Sequence, residues 1–306
     1  MKRIVVAVVG PFQVGKSTIV NCLLGREICA TGRGLSTTHS VTRFLLGAAP
    51  FVKVRMLDGG IGELTIDDFQ RGTMIDYELA DVSLPLEMLT LIDLWDTPGA
   101  LASGGRGQMD MRRAADVYEV ADFFILVVPN RQLVQPLLEY LVEVLKGRLF
   151  VVLMNCIEGS VLPNSKHNAT TAATIEAQLR LAALIPHTIP GCTPVWPVNA
   201  AWDVAARRPP LWEDPSDPWP TTEKTKDAEM NSQLLVDYVL SYYRSRRQSV
   251  PDVGSLRAVG GLDLVRNSFL VDTLVIGHIP DVVHLWRGFR KWSEDLRQAA
   301  GAFTAI

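Results

Sequence analysis

The sequence predicts an α/β fold of three layers, in which a central, mostly parallel but mixed sheet is flanked by helices. Short apolar runs typical of strands alternate with longer segments that have helical spacing, and this order builds a sheet covered on both faces. The runs at 123–128 and 149–155 are nearly all apolar, as expected of central strands. The predicted strands are Arg3–Val9, Val41–Leu46, Phe51–Leu57, Leu89–Trp95, Phe123–Val128, Leu149–Asn155 and Thr193–Val198.

The second and third predicted strands are separated only by residues 47–50, and this short spacing predicts a hairpin between them. An antiparallel pair of this kind makes the sheet mixed. Helices are predicted where apolar residues recur three and four positions apart. These segments are 107–121, 132–146, 170–185, 228–247 and 256–276.

One large domain is predicted over residues 1–280. Residues 203–226 are rich in proline and cannot form a regular element, so we expect a surface excursion of that domain. Residues 281–306 predict an amphipathic C-terminal helix with an aromatic face and a basic face. This helix could dock on the domain, associate with a second copy or a partner, or lie on a membrane surface. Docking is the favoured interpretation.

Composition excludes several classes of protein. The formal net charge of −3 gives no bulk attraction to nucleic acid, so no nucleic-acid partner is expected. No apolar stretch reaches the roughly 18 residues that a membrane span requires. The 4 cysteines have no Cys-x-x-Cys spacing, which argues against a zinc site or a disulfide framework. We therefore expect a cytoplasmic protein, with a peripheral position at a membrane left open.

The motif G-x-x-x-x-G-K-S at residues 10–17 directly follows the first strand and leads into a helix. In this context Gly10 and Gly15 let the backbone N–H groups surround an anion, and the helix N-terminus favours negative charge. Lys16 can reach the β- and γ-phosphates of a nucleotide, and Ser17 can hold Mg²⁺. The other residues of this loop expected at the nucleotide are Phe12, Gln13, Val14 and Thr18.

A second motif, D-T-P-G at residues 96–99, stands at the end of the fourth predicted strand. The carboxylate of Asp96 can hold Mg²⁺ through a water, and the N–H of Gly99 can meet a γ-phosphate. The alternative is an ordinary Pro-Gly turn after a strand. The presence of the phosphate loop in the same chain favours a nucleotide site.

With both motifs, the sequence resembles the translation-factor-like P-loop GTPases, and among them the dynamin-like GTPase domain. The resemblance implies that a threonine after a glycine-containing segment closes on Mg²⁺. Thr37 and Thr38 both fit, and Thr38 leaves the following strand better aligned. The short stretch after residue 275 is too brief for the helical stalk of dynamin-like mechanoenzymes, so membrane fission by this chain alone is not expected. The segments that carry the resemblance besides the two motifs are Leu24–Glu27, Gly32–Thr38, Val41–Gly47 and Val82–Pro85.

The resemblance also implies a guanine site after the sixth predicted strand, where such GTPases carry Asn-Lys-x-Asp and this chain has Asn-Cys-Ile-Glu. Glu158 keeps a carboxylate that can accept two hydrogen bonds, whereas Cys156 cannot supply a long, charged cover for the base. GTP and GDP are thus the expected ligands, with weakened affinity. The residues expected around the base are Asn155, Cys156, Glu158, Asn199 and Ala200.

Catalytic groups are harder to assign. Small GTPases place a glutamine directly after D-x-x-G to orient the attacking water, and this chain has Ala100 there. Gln13 is the best substitute, whereas Phe12 beside it would shield the phosphates without helping polar chemistry. We therefore assign catalytic roles to Gln13, Lys16 and Thr38 and expect slow turnover.

The leading hypothesis is a Mg²⁺-dependent GTP-binding switch that hydrolyses GTP slowly and reorders residues 31–40 and 99–113 with the nucleotide state. A homodimer across the nucleotide face and a protein effector are left open as partners. The alternative is a non-hydrolysing pseudo-GTPase that serves assembly, which Phe12, Ala100 and Cys156 favour. An ATP-dependent P-loop kinase is disfavoured by the D-T-P-G motif and the paired threonines.

Overall fold

The computed structural model describes residues 3–29, 40–70, 77–90, 92–99, 114–148, 150–156, 166–184 and 195–200, together with Leu262 and Val265. The strands are β1 (Ile4–Val9), β2 (Val41–Leu46), β3 (Phe51–Met56), β4 (Ile61–Leu64), β5 (Tyr77–Leu84), β6 (Ile92–Asp96), β7 (Phe123–Pro129), β8 (Phe150–Asn155) and β9 (Val195–Val198). The helices are α1 (Lys16–Leu24), α2 (Ile66–Gln70), α3 (114–120), α4 (Gln135–Leu145) and α5 (Lys166–Leu181). A 3₁₀ turn covers Glu87–Thr90.

The described strands form one 9-stranded sheet in the order β4-β3-β5-β2-β6-β1-β7-β8-β9. The pairs from β6 through β9 are parallel, whereas β2 runs antiparallel to β6 and β3 runs antiparallel to both of its neighbours. A mostly parallel, mixed sheet was predicted, and this prediction is confirmed.

Helices pack on both faces of the sheet. Along β1 the side chains alternate, with Val6 and Val8 in the core beside α1 and α2, and Ala7 and Val9 in the core beside α3, α4 and α5. This alternation is the two-residue period of a strand buried on both sides. The predicted three layers are therefore present. Leu262 extends the core on the α1 side.

The predicted hairpin between β2 and β3 is wrong. β5 lies between them, parallel to β2 and antiparallel to β3. The four residues 47–50 can still make the link, because they can span about 13 Å and the strands are about 10 Å apart. The hairpin that does form joins β3 to β4 through Asp58–Gly60, where Gly59 has a φ of 84°. Asp-Gly is a typical hairpin signal, and the sequence prediction overlooked it.

The strand predicted at Leu89–Trp95 begins later, at Ile92, because the 3₁₀ turn takes up Leu89. The register then sets the two motifs side by side. β1 and β6 are parallel neighbours, with Val8 opposite Asp96, so residues 10–17 and 96–99 leave the same edge of the sheet. Asn155 lies at this edge as well, opposite Val198.

Several predicted features lie outside the described residues. These are the first part of the helix predicted at 107–121, the proline-rich excursion at 203–226, the helices at 228–247 and 256–276 apart from Leu262 and Val265, and the amphipathic helix at 281–306. Among the helices that the structure does describe, none has the length and apolarity needed to cross a membrane.

Candidate nucleotide-binding site

The loop between β1 and α1 turns at two glycines with positive φ, 152° at Gly10 and 84° at Gly15. A Cβ on Gly10 would lie 2.1 Å from the carbonyl oxygen of Val127, so only glycine fits against β7. Gln13 also has a positive φ of 59°, which is uncommon for a residue with a side chain. Backbone strain of this kind is concentrated at binding and catalytic loops.

The first turn of α1 can receive an anion. The helix begins at Lys16 after Gly15, which makes no side-chain cap, and none of the residues in the helix's own first turn is acidic. The first N–H groups of a helix have no partner within the helix, and they carry the positive end of its dipole. The loop and the helix therefore present N–H donors to the space in front of α1.

The two motifs pack against each other. The Nζ of Lys16 donates a hydrogen bond to the carbonyl oxygen of Pro11 at 3.1 Å, so the side chain lies across the loop. A Cβ on Gly99 would lie 2.7 Å from the Cα of Phe12 and 3.2 Å from the Nζ of Lys16. Only glycine permits this approach, which brings the end of the D-T-P-G motif against the phosphate loop and the Lys16 side chain.

Below Lys16, the Oγ of Ser17 donates a hydrogen bond to Oδ2 of Asp96 at 2.7 Å. Asp96 is 1% exposed, and this burial raises the pKa of its carboxyl, although the Lys16 charge and the Ser17 hydrogen bond oppose the rise. The Oγ1 of Thr97 holds the following turn by donating to the carbonyl oxygen of Val8 at 2.8 Å. The carboxylate is therefore rigidly placed beside the serine hydroxyl.

This pair fits a divalent cation. Oδ1 of Asp96 is buried and has no hydrogen-bond partner among the residues described, so one oxygen remains to receive a ligand. The oxygens of Ser17 and Asp96 are the hard donors that Mg²⁺ prefers. Thr37 and Thr38, the predicted third oxygen ligands, lie outside the described residues.

At the other end of the site, Asn155 joins the phosphate loop to the start of the segment after β9. Its Nδ2 donates to the carbonyl oxygen of Val14 at 3.0 Å, and its Oδ1 accepts the N–H of Ala200 at 3.4 Å. Asn155 and Asn199 are both buried. The N–H of Ala200, which was expected to meet the base, is thus engaged by Asn155 in this structure.

Cys156 is placed differently from its expected role. Its side chain packs in the core beside α4 and α5, and its Sγ donates to the carbonyl oxygen of Met154 at 3.5 Å. Burial raises the pKa of this thiol to about 12. Its N–H donates to the carbonyl oxygen of Val198 at 2.8 Å, which joins β8 to β9. Glu158 lies outside the described residues, as does Ala100.

Two buried residues beside the Ser17–Asp96 pair were not predicted from the sequence. Asn21, on α1, makes buried hydrogen bonds to the backbone of Ile28 and Cys29, and the Cys29 thiol lies beside the Asp96 carboxylate. Asn21 follows Ser17 by four residues, so the two share one face of α1. That spacing was available as a signal in the sequence.

Residues 5–156 match the model of the family described as the 50S ribosome-binding GTPases. This match, over about half of the chain, supports the predicted resemblance to the P-loop GTPases, in line with the two motifs and the sheet order. Guanine nucleotide is the ligand of this family, and GTP hydrolysis is its activity. The predicted resemblance to the dynamin-like GTPase domain is also supported. The chain is 30% identical over 107 residues to dynamin-like protein 2 of Campylobacter jejuni, which covers 33% of this chain and 17% of that protein.

Solved structures with a similar fold include a chain of an oligomerised bacterial dynamin pair, at 17% identity and a TM-score of 0.46. That match covers 90% of this chain and 40% of the other. Era of Aquifex aeolicus matches at 19% identity and a TM-score of 0.39, over 65% of this chain and 52% of Era. Toc33 of Arabidopsis thaliana matches at 12% identity and a TM-score of 0.39, over 79% and 86%. This chain thus spans well under half of the two dynamin relatives.

Proposed function

We propose that this chain is a GTP-binding switch that depends on Mg²⁺ and hydrolyses GTP slowly. The observation that carries the proposal is the buried Ser17–Asp96 pair directly below Lys16, where the two motifs meet. A lone phosphate loop would need only the lysine and the helix N-terminus. The added carboxylate, with an oxygen left unpartnered among the described residues, supports a nucleotide that is bound together with a cation.

In the proposed complex the N–H groups of residues 13–17 surround the β-phosphate, and Lys16 exchanges its contact with Pro11 for the β- and γ-phosphates. Ser17 and Asp96 would hold Mg²⁺, with Thr38 as a further oxygen ligand. When bound, Mg²⁺ neutralises charge on the β- and γ-phosphate oxygens. Gly99 presents its N–H to the γ-phosphate, so the segment that follows it senses which nucleotide is present.

For the base, we propose that Asn155 acts through the backbone. By joining Val14 to Ala200 it holds the phosphate loop and the base-side loop in one rigid unit. Glu158 would accept the two hydrogen bonds from the guanine edge. Since the Cys156 side chain packs in the core, the base lacks a long charged cover at this position, which supports weakened affinity.

For hydrolysis, we propose Gln13 as the residue that orients the attacking water. It is an exposed residue of the phosphate loop and has a positive φ. An amide can orient water but cannot accept a proton, and Ala100 adds nothing at the usual position. Slow turnover follows, with Lys16 and Thr38 supplying the remaining stabilisation of the transferring phosphate.

The second candidate is a pseudo-GTPase that binds nucleotide without hydrolysing it and serves assembly. The apolar residue Phe12 favours it, because this position lies in the phosphate loop, where polar chemistry would be needed. We also propose that residues 1–280 act as one domain and that residues 281–306 dock on it. We further propose a homodimer across the nucleotide face, which light scattering with GDP or a GTP analogue tests. A cytoplasmic position with peripheral membrane contact is also proposed, and liposome sedimentation tests that contact. A protein effector is a further proposed partner.

The deciding experiment measures the binding of GTP, GDP and ATP to the purified chain and then phosphate release, with Lys16→Ala as the control. The proposal expects tighter binding of guanine nucleotides than of ATP and slow release above the control. Equal affinity for ATP and GTP would refute the guanine assignment. Tight GTP binding with release no faster than that of the control would establish the pseudo-GTPase instead.

A further inference from the structure

The turn between β7 and α4 leaves the sheet beside the segment where the base is expected. Pro129, the last residue of β7, pairs with Asn155, the last residue of β8. Neighbouring strands lie about 4.8 Å apart, so the chain that follows Pro129 starts next to the Asn155 backbone. Asn155 in turn donates to the carbonyl oxygen of Val14 in the phosphate loop at 3.0 Å. Residues 130–134 therefore belong to the same edge of the sheet as the nucleotide site.

Both ends of this turn are fixed by hydrogen bonds. At its start, the N–H of Arg131 donates to the carbonyl oxygen of Pro129 at 2.8 Å, which closes a three-residue turn. At its end, the Gln178 side chain on α5 holds both backbone groups of the buried Leu133. Its Nε2 donates to the carbonyl oxygen at 2.9 Å, and its Oε1 accepts the N–H at 3.0 Å. The backbone of Arg131 is thus held beside Asn155 before any ligand binds.

Arg131 brings a free cation to this turn. The residue is exposed, and its side chain makes no hydrogen bond or ion pair with the part of the chain that the structure describes. A guanidinium is planar and always charged, and it stacks on the faces of aromatic rings. A purine base presents a face of this kind.

The adjacent strand leaves this role unfilled. A long, charged side chain over the base was expected directly after Asn155, and the residue there is Cys156, whose side chain packs in the core. Arg131 comes only two residues after the strand partner of Asn155, so its Cα lies within about 8 Å of that of Pro129. Its long side chain can therefore serve the position that Cys156 leaves uncovered.

We propose that Arg131 supplies the cover of the nucleotide base that Cys156 lacks, by laying its guanidinium against the face of the purine ring. The inference rests on the proposed function, since it presumes that the chain binds a nucleotide with its base near Asn155. Because the turn is already fixed at both ends, little backbone freedom is lost on binding. The ring face is common to all purines, so Arg131 adds affinity, and the preference for guanine stays with Glu158.

The test compares a ligand that has a base with one that has none. GDP labelled on its ribose is titrated into Arg131→Ala, and inorganic triphosphate is then used to displace it. The GDP affinity should fall about fivefold, as expected when a cation over an aromatic ring is removed, while the triphosphate affinity stays within about twofold of wild type. Arg131→Lys should recover part of the GDP affinity, because an ammonium group also binds to ring faces.

Gln132→Ala, at the exposed neighbouring residue of the same turn, is the matched control and should bind both ligands as wild type does. Equal weakening of GDP and triphosphate in Arg131→Ala would overturn the proposal, because the arginine would then act on the phosphates or on the fold. An unchanged GDP affinity would overturn it as well. If Arg131→Ala does not fold, Arg131→Gln gives the same comparison. Failure of the proposed function would look different, since the wild-type chain would then not bind the labelled GDP.

Discussion

The phosphate end and the base end of the site use polar side chains in opposite ways. At the phosphate end, Lys16, Ser17 and Asp96 direct their polar atoms into the site, and glycines clear the space around them. At the base end, the Asn155 side-chain amide hydrogen-bonds to the protein backbone, and the Cys156 side chain packs in the core. The phosphate end is thus equipped to bind by direct contact, whereas Asn155 and Cys156 at the base end contribute rigidity.

This difference explains why the phosphate loop was easier to interpret from the sequence than the base-side segment that begins at Asn155. A phosphate is recognised by charge and by N–H groups, and both follow from glycines and a lysine at defined spacing. A base is recognised by the directions of a few donors and acceptors, which depend on how several loops meet. Substitutions at the phosphate end are therefore expected to change the affinity for GTP and GDP strongly. Substitutions of Asn155 and Cys156 at the base end are expected to change the stability of the fold more than this affinity.

The largest effect is expected for Lys16→Ala. Losing a charge-assisted contact to the phosphates should weaken GTP and GDP binding about 100-fold, measured by titration with fluorescent analogues. Lys146→Ala, an exposed lysine at the end of α4, is the matched control and should bind as wild type does. A weakening of less than about threefold in Lys16→Ala would mean that the phosphate end does not bind by direct contact.

Asp96→Asn should weaken GTP binding in Mg²⁺ by about tenfold or more, because one oxygen of the carboxylate is replaced by an amide. Its melting temperature without nucleotide should rise. Burial raises the folded-state pKa of Asp96, so the charged form destabilises the fold above that pKa, and a neutral isostere removes this cost. Scanning calorimetry with chelator tests the second point, and a lowered melting temperature would contradict it.

The base end is tested by Asn155→Ala. Removal of the amide leaves the Val14 carbonyl and the Ala200 N–H unpaired, which should lower the free energy of unfolding by about 1–3 kcal/mol, measured by urea denaturation. GTP and GDP binding should weaken by the same small factor. A selective change in the preference for GTP over ATP would show instead that Asn155 reads the base directly.

The smallest effect on binding is expected for Cys156→Ser, with GTP affinity within about twofold of wild type, because this side chain is in the core. In the wild type, with the thiol pKa raised to about 12, Cys156 should stay unlabelled by iodoacetamide at pH 8 until urea unfolds the chain. Peptide mass spectrometry gives the site. Rapid labelling of Cys156 in the folded chain would place the thiol at the surface.

Much of the fold was predictable because its signals are local. The phosphate loop, β7 and β8 were recognised from continuous apolar runs and glycine spacing, and β2 was predicted with both ends correct. β4 and β5 were missed, since the alternation of β5 mixes polar and apolar residues along a strand whose second face is only half-buried. With β5 unseen, β2 and β3 were paired wrongly, because pairing depends on the whole set of strands.

The sequence by itself determined the class of site. Gly10, Gly15, Lys16 and Ser17 at their spacing specify a phosphate loop, because backbone freedom and one charge act locally. Only the tertiary structure decided that Asp96 meets Ser17, that Cys156 leaves the site and that the turn with Arg131 leaves the sheet beside Asn155. These contacts join parts of the chain through strand register and helix packing, and no short stretch of sequence contains that information.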